Sequence, residues 1–119
     1  MRRAGWILVP LAGLLVACGS STSVLPGASA DRGQRQIRAD GCGSCHQISG
    51  VEGADGTVGP SLVHLSGRRY IAGGRLPNTP ANAVRWIMHP QQIQPGGIMP
   101  DLGVTSGQAA DIVDYLYGQ

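Results

Sequence analysis

A pentapeptide in the first half of the chain, Cys42-Gly43-Ser44-Cys45-His46, limits the possible folds and functions more than any other segment. Its C-x-x-C-H spacing puts two thiols on one helical turn, within reach of the two vinyl groups of a porphyrin. His46 directly follows the second thiol, so its imidazole is carried to the iron. The motif predicts one covalently attached haem c, with thioether bonds to Cys42 and Cys45 and with His46 as the proximal metal ligand.

Two other uses of a C-x-x-C pair compete with this interpretation. A dithiol redox pair has the same spacing, but the surrounding sequence does not resemble the βαβ unit of a thioredoxin. A zinc site needs further ligands, and the chain has only three cysteines, so a second pair is missing. Haem also eases folding, because a macrocycle adds a large apolar surface to a small core with few aromatic side chains.

The N-terminal segment predicts export and a lipid anchor. After a positively charged start, MRR, the fourteen residues 4–17 are uncharged. As a helix they span about 21 Å, short of the ~30 Å bilayer core, so a cleaved export signal fits better than a permanent span. The segment ends in LVAC, which resembles the lipobox of bacterial lipoproteins. It predicts a lipoprotein signal peptide over residues 1–17 and lipidation of Cys18; the alternative is an ordinary signal peptide with an incidental cysteine.

The segment after Cys18 separates this expected anchor from the folded part of the chain. Residues 18–30 are small and polar, contain Gly and Pro, and show no periodic pattern. This composition predicts a flexible tether. We therefore expect a domain over residues 31–119 that is exported, lipid-anchored to a bacterial membrane, and exposed to the periplasm or the outer surface.

The charge balance argues against nucleic-acid binding. All nine basic residues are arginines, and only seven of them follow residue 17, where they are matched by seven acidic residues. The formal charge of the expected mature chain is therefore close to zero, and no basic run suits a phosphate backbone. A charged fraction of 13% also excludes a coiled coil and a long disordered segment.

Four side chains compete to be the distal ligand of the iron. Met88 lies in a helical apolar pattern, where a methionine more often belongs to the core. Met99 lies in a loop with the sequence QPGGIMP, whose glycines permit close approach to a planar ring and whose prolines stiffen the backbone. Met99 is the preferred ligand, while Met88, His64 and His89 remain alternatives, and the two histidines can also be plain surface residues.

Capping patterns predict about four short helices, and no segment alternates as a strand would. Asp31 is expected to cap a helix that ends before Gly41, and a short helix is expected over residues 61–66. Thr79 followed by Pro80 is a typical start of a helix, and Pro90 is expected to stop it. Ser106 is expected to cap the last helix.

The chain resembles the class I cytochromes c. The haem motif near the start, Gly59-Pro60, and Met99-Pro100 near the end carry the resemblance. Residues 59–65, 71–80 and 85–91 are most similar to the cytochrome c domain fused to subunit II of some bacterial cytochrome c oxidases. The resemblance covers residues 31–119, but this chain has a lipobox and a tether in place of the copper domain and membrane helices of subunit II. It implies an all-α fold, with about four short helices around one covalently attached haem.

The resemblance also implies roles for further residues. In a ligating histidine the second ring nitrogen usually donates to an acceptor, and Pro60 corresponds to the residue whose carbonyl accepts from His46; from the sequence alone, Gly59-Pro60 could also be a plain turn. Arg68 corresponds to a haem propionate partner, and Trp86 offers an indole N–H. Both residues also have simpler interpretations, as a surface charge and a buried aromatic. In the family the first and last helices cross, and four residues match that crossing: Gly33, Ile37, Tyr115 and Leu116.

These expectations together predict an electron carrier with no enzymatic activity and no small-molecule substrate. With His46 and Met99 both bound, the iron has no open position. The expected partners are redox proteins of a respiratory chain, and a cytochrome c oxidase is the favoured electron acceptor. Two alternatives remain: a cytochrome subunit of a periplasmic dehydrogenase, and a haem sensor in which the distal ligand can be displaced.

Overall fold

The computed structural model of the protein describes residues 27–119, which form four α-helices and one very small sheet. The helices are α1 (Ala28–Ala39), α2 (Pro80–Met88), α3 (Pro90–Ile93) and α4 (Ser106–Tyr117). Three 3₁₀ turns lie between α1 and α2, at Cys42–Ser44, Leu65–Gly67 and Ala72–Gly74. This architecture confirms the expected all-α class with about four short helices. Within residues 27–119, none of the helices combines the length and the apolar character that a membrane crossing requires.

Helices α1 and α4 pack directly against each other and form the centre of the fold. Gly33 is buried at their crossing, where an added Cβ would lie 1.9 Å from the carbonyl oxygen of Asp111. The two backbones therefore touch, as the resemblance implies. Beside the crossing, the guanidinium of Arg32 donates two hydrogen bonds of 2.7 and 2.8 Å to the carboxylate of Asp111. That contact lowers the pKa of Asp111.

The apolar core extends from this crossing towards α2 and the loops. Ile37 of α1 is only 1% exposed, and Ala109 of α4 is fully buried. The remaining core side chains come from α4, from α2, from the segments between α1 and α2 and from the loop before α4; among them are Ile48, Val51, Leu65, Ile71, Leu76, Ala83, Val104, Ile112, Val113, Tyr115 and Leu116. Both residues expected at the crossing from α4, Tyr115 and Leu116, are buried as predicted.

The first helix begins three residues before the expected cap. Gly27 is its N-cap and makes no side-chain hydrogen bond, while Asp31 lies inside the first turn and its N–H donates to the carbonyl of Gly27 over 2.9 Å. A carboxylate in the first turn is favourable beside the positive end of the helix. Residues 28–30, assigned to the tether from composition, are thus helical. The expected signal peptide 1–17 and Cys18 lie outside the described residues.

The starts of α2 and α4 have side-chain caps. The hydroxyl of Thr79 accepts from the N–H of Asn82, and Pro80 occupies the first turn of α2, as predicted. In α4 the cap is Thr105, one residue before the expected Ser106. The side chain of Thr105 accepts from the N–H of Gln108, and the amide of Gln108 accepts from the N–H of Thr105, so the pair forms a capping box. Ser106 has no such glutamine three residues later.

The helix expected over residues 61–66 is wrong. The N–H of Leu62 donates over 2.8 Å to the carbonyl of Gln47, a partner far along the chain, so this backbone is committed to a tertiary contact. His64 then adopts a left-handed conformation with φ of 53°, which interrupts a helix. Only one 3₁₀ turn, Leu65–Gly67, follows.

A two-stranded antiparallel sheet connects this turn to α2. Strand β1 (Tyr70–Ile71) pairs with β2 (Leu76–Pro77), so that Ile71 lies opposite Leu76. Ile71 and Leu76 both point into the core, whereas Tyr70 is exposed. The strands are only two residues long, too short for a period-two pattern to be visible in the sequence.

Candidate functional site

A large cavity lies between the helices and the two long loops that flank α2 and α3. Its volume is about 750 Å³, within the range of about 300–1,000 Å³ usual for cofactor and ligand sites. Its walls come from α1, α2 and α4 and from residues within 58–74 and 94–104. Core side chains such as Ile37, Ala83 and Leu116 form its floor, so the interior is largely apolar.

The C-x-x-C-H motif forms one tight turn along this cavity. The N–H groups of Cys45 and His46 both donate to the carbonyl of Cys42, over 3.2 and 3.0 Å. Cys42, Cys45 and His46 all line the cavity and are half-buried. Cys42 and Cys45 are free thiols, not a disulfide. Burial raises the pKa of the Cys42 thiol, and the charge of Asp40 raises it further, so this group is protonated at neutral pH.

The ring of His46 is oriented by the Gly59-Pro60 turn. Its Nδ1 lies 2.7 Å from the carbonyl oxygen of Pro60, the contact that the resemblance implies. Since a carbonyl oxygen can only accept, Nδ1 carries the proton and Nε2 keeps its lone pair available for a metal. The turn is itself fixed to the motif, because the N–H of Gly59 donates over 2.8 Å to the carbonyl of Cys45.

Gly59 leaves the space that the ring occupies. An added Cβ at this position would lie 2.4 Å from Cε1 and 2.7 Å from Nδ1 of His46. We expect Gly59→Ala to push the ring away from Pro60 and to speed exchange of the Nδ1 proton with solvent about tenfold, as the loss of one hydrogen bond implies. NMR of the haem-loaded protein measures this exchange.

Gly67→Ala is the matched control for this prediction. Gly67 is exposed in the next turn of the chain, and nothing lies within 4 Å of its added Cβ. Exchange of the His46 ring proton should therefore be unchanged in this variant. Equal exchange rates in Gly59→Ala and Gly67→Ala would contradict the proposed contact between Gly59 and the ring.

Of the four candidates for a distal ligand, only Met99 lines the cavity. Met99 is half-buried in the loop after α3. Met88 packs against the hydrophobic core at the end of α2. His64 is exposed in its left-handed turn, and His89 caps α2. The structure therefore brings Met99 into the same cavity as His46, Cys42 and Cys45, and leaves the other three candidates outside its lining.

Arg68 and Trp86 also lie at the cavity, on different elements. The guanidinium of Arg68 donates to the carbonyl of Ser61, which holds this side chain along the cavity wall. Trp86 lies on α2, lines the cavity and packs partly against the core. A cationic guanidinium beside an apolar cavity suits an acidic group at the edge of a bound ligand.

Asn78 is a structural residue of the site that the sequence reasoning missed. Its Nδ2 donates to the carbonyls of Leu65 and Arg68, both over 2.8 Å, and its Oδ1 accepts from the hydroxyl of Tyr117. Burial raises the pKa of Tyr117. The amide thereby ties the segment that contains Arg68 to the end of α4. Its partner Tyr117 is 39 positions away, so no local pattern could have revealed it.

The donor set and the cavity fit one covalently bound haem. Two thiols and one oriented imidazole line an apolar cavity that also contains a thioether sulfur. Among residues 27–119 no three His, Cys, Asp or Glu side chains come together as a metal-binding group. The arrangement is therefore poorly suited to a directly bound zinc ion, which takes four protein ligands in structural sites.

Comparison with known proteins agrees with this chemistry. The family model described as cytochrome c matches residues 30–118, nearly all of the described part of the chain. No curated protein and no solved structure matches the chain. Members of the family carry covalently attached haem c and transfer electrons, and one haem suits a domain of this size. The C-x-x-C-H turn, the apolar cavity and the family match together identify this chain as a member of the cytochrome c family.

Proposed function

We propose that this protein is a membrane-anchored mono-haem electron carrier that passes single electrons between respiratory partners, towards a cytochrome c oxidase. The proposal rests on one observation. One apolar cavity is lined by Cys42, Cys45, His46 and Met99, and the ring of His46 is already oriented by Pro60. The similarity of residues 59–65, 71–80 and 85–91 to the cytochrome domain of oxidase subunit II supports the choice of acceptor.

Each residue of the cavity has a distinct role in this proposal. Cys42 and Cys45 would hold the haem through thioether bonds, and His46 and Met99 would bind its iron. Bound haem supplies an iron that alternates between the ferric and ferrous states. Because His46 and Met99 would both bind the iron, no position would be open to a substrate, and the ligand set would stay the same in both oxidation states. Arg68 would pair with a propionate.

The cavity favours a relatively high reduction potential. A thioether ligand such as Met99 raises the potential of the iron. The apolar walls act in the same direction, because a medium of low dielectric constant disfavours the additional positive charge of the ferric state. An electron carrier that serves a terminal oxidase needs this property.

The mouth of the cavity offers an apolar docking surface. Val58, Tyr70, Ile98 and Leu102 are the large apolar side chains that are most exposed in the described part of the chain, and all four line the cavity. Ile98 is 80% exposed. With equal numbers of acidic and basic residues after residue 17, long-range ionic steering is weak. Partner contact therefore depends on apolar burial at the haem edge and on tethering, which raises the effective concentration.

This docking mode predicts a shallow salt dependence. We expect the bimolecular rate constant with the oxidase to change less than about twofold between about 10 and 200 mM salt. The balanced charges of this protein produce only a weak electrostatic field, so salt has little attraction to screen. Leu102→Ser should slow the reaction at every salt concentration. Glu52→Gln, an exposed change outside the cavity lining, is the control. A steep fall in rate with rising salt would contradict apolar docking.

The anchor makes a separate prediction. Cys18→Ala removes the expected site of lipidation, so the haem-loaded protein should leave the membrane fraction and appear in the soluble fraction with an unchanged optical spectrum. Cell fractionation followed by haem staining measures the distribution. If the variant stays in the membrane fraction, another feature retains the protein and the lipid anchor is wrong.

The proposed function is tested on haem-loaded protein from a host that attaches haem c. Oxidation of the ferrous protein by membranes that contain a cytochrome c oxidase should be fast, and the ferric spectrum should contain the Met–iron charge-transfer band. Membranes from a strain without the oxidase are the control. High-spin iron with ready binding of carbon monoxide would instead support the haem sensor. Oxidation at equal rates by both membranes would refute the oxidase as acceptor.

A further inference from the structure

We propose that Gln91 is a positioning residue that fixes the loop carrying Met99, and thereby keeps the thioether on the iron. The inference deepens the proposed function and rests on Met99 being the distal ligand. It starts from one side chain, on the short helix α3, whose amide makes three hydrogen bonds with the loop. Gln91 itself does not line the cavity, so it acts through the loop and not by contact with the haem.

The amide of Gln91 uses both of its donors and its acceptor on this loop. Its Nε2 donates to the carbonyls of Gly97 and Met99, both over 2.8 Å. Its Oε1 accepts from the N–H of Gly96 over 3.2 Å. Only one orientation of the amide satisfies two carbonyls and one N–H, so oxygen and nitrogen are assigned by chemistry. The Gln91 amide thus restrains the backbone on both sides of Ile98.

Apolar packing does little to hold residues 95–98 of this loop. Ile98, its largest aliphatic side chain, is 80% exposed, and Gly96 and Gly97 have no side chain to bury. A turn from the N–H of Gly97 to the carbonyl of Gln94, the C-cap of α3, over 2.9 Å holds the start of the loop but does not reach Met99. Polar contacts with Gln91 therefore carry much of the restraint on Met99.

Gln91 is itself fixed by its neighbour. Pro90 starts α3 and is one of the two largest fully buried side chains in the described residues. The carbonyl of Pro90 accepts from the N–H of Gln94 over 2.8 Å, which closes the single turn of α3. The core is thus connected to Met99 through buried Pro90, the amide of Gln91 and the glycine-rich loop.

Loss of the Gln91 amide should shift the equilibrium between iron-bound and released Met99. Gln91→Leu has a similar size and cannot form the three hydrogen bonds. With three ordinary hydrogen bonds lost, the ferric protein should bind added imidazole, which displaces methionine from iron, at least about tenfold more tightly. Gln91→Glu keeps an acceptor for Gly96 but loses both donors, so it should shift affinity in the same direction.

Gln92→Leu is the matched control, because Gln92 is the exposed neighbour on the same short helix. The Gln92→Leu variant should bind imidazole with an affinity within about twofold of that of the unsubstituted protein. A twofold change is smaller than the change expected from the loss of one hydrogen bond. The Met–iron charge-transfer band and the reduction potential are recorded for every variant. Urea unfolding is measured in parallel, since a merely structural role would lower stability without a selective change in imidazole affinity or potential.

The outcomes separate this inference from the proposed function. A Met–iron band in the unsubstituted protein, together with tighter imidazole binding and a lower potential in Gln91→Leu and Gln91→Glu, supports the positioning role. If Gln91→Leu does not take up haem, Gln91→Glu decides by the same criteria. A normal band with unchanged imidazole affinity overturns the role of Gln91 alone. The absence of the band from the unsubstituted protein overturns ligation by Met99, and this inference with it.

Discussion

Gly33→Ala should lower the free energy of unfolding of the haem-loaded protein by about 3 kcal/mol or more, out of the 5–15 kcal/mol typical of a small domain. The added Cβ would lie 1.9 Å from the carbonyl oxygen of Asp111 and 2.9 Å from the backbone nitrogen of Ile112. These neighbours belong to the backbone of α4 and cannot move by a change of rotamer. The helices must separate, which opens the core around Ile37.

The matched control is Gly107→Ala, at an exposed position of α4. An added Cβ there has nothing within 4 Å, and alanine is the better helix former by up to about 1 kcal/mol. Urea unfolding should therefore show Gly107→Ala unchanged or more stable, and Gly33→Ala much less stable. Similar stability of the two variants would mean that α1 and α4 do not approach each other as closely as the backbone contact requires.

Met99→Ala should remove the Met–iron charge-transfer band and lower the reduction potential by about 100 mV or more. If the thioether of Met99 binds ferrous iron about a hundredfold more tightly than ferric iron, its loss corresponds to about 120 mV for a one-electron couple. The ferrous variant should also bind carbon monoxide readily, because the iron would lose the thioether that Met99 supplies. Redox titration and optical spectra measure both effects.

Met88→Ala provides the comparison. Met88, the last residue of α2, packs against the core and does not line the cavity. Truncation of a fully buried methionine costs about 2–5 kcal/mol of stability. Met88 is only partly buried, so Met88→Ala should cost less than this and should leave the Met–iron band and the reduction potential unchanged. If the band survives in Met99→Ala and disappears in Met88→Ala, the choice of distal ligand is wrong.

Local signals in the sequence predicted three helix positions well, and failed where the chain makes distant contacts. Thr79 with Pro80 is a complete start signal, and the structure uses it unchanged. Thr105 caps α4 in place of the expected Ser106, because the capping box also requires Gln108 three residues after the cap. The helix expected over residues 61–66 failed because Leu62 donates to Gln47, a partner that no local window contains.

The candidate site was largely predictable because covalent attachment of haem demands a fixed local spacing. Cys42, Cys45 and His46 are neighbours in the chain, and one turn brings them to the cavity wall. The roles of Asn78 and Gln91 were not predictable. Both act through side-chain amides on backbone groups of other segments, and the geometry of such contacts exists only after the chain has folded.

The chemistry follows from local sequence alone: two thiols and an imidazole at C-x-x-C-H spacing, a short list of sulfur and nitrogen ligands, and helices marked by their caps. Only the folded chain shows which of those ligands shares the cavity, how the ring of His46 is oriented, and why Gly33 and Gly59 have no side chain. The difference follows from the range of the interactions along the chain. Bond chemistry and capping depend on a few adjacent residues, whereas cavity lining, close backbone approach and hydrogen bonds between distant segments depend on how the whole chain packs.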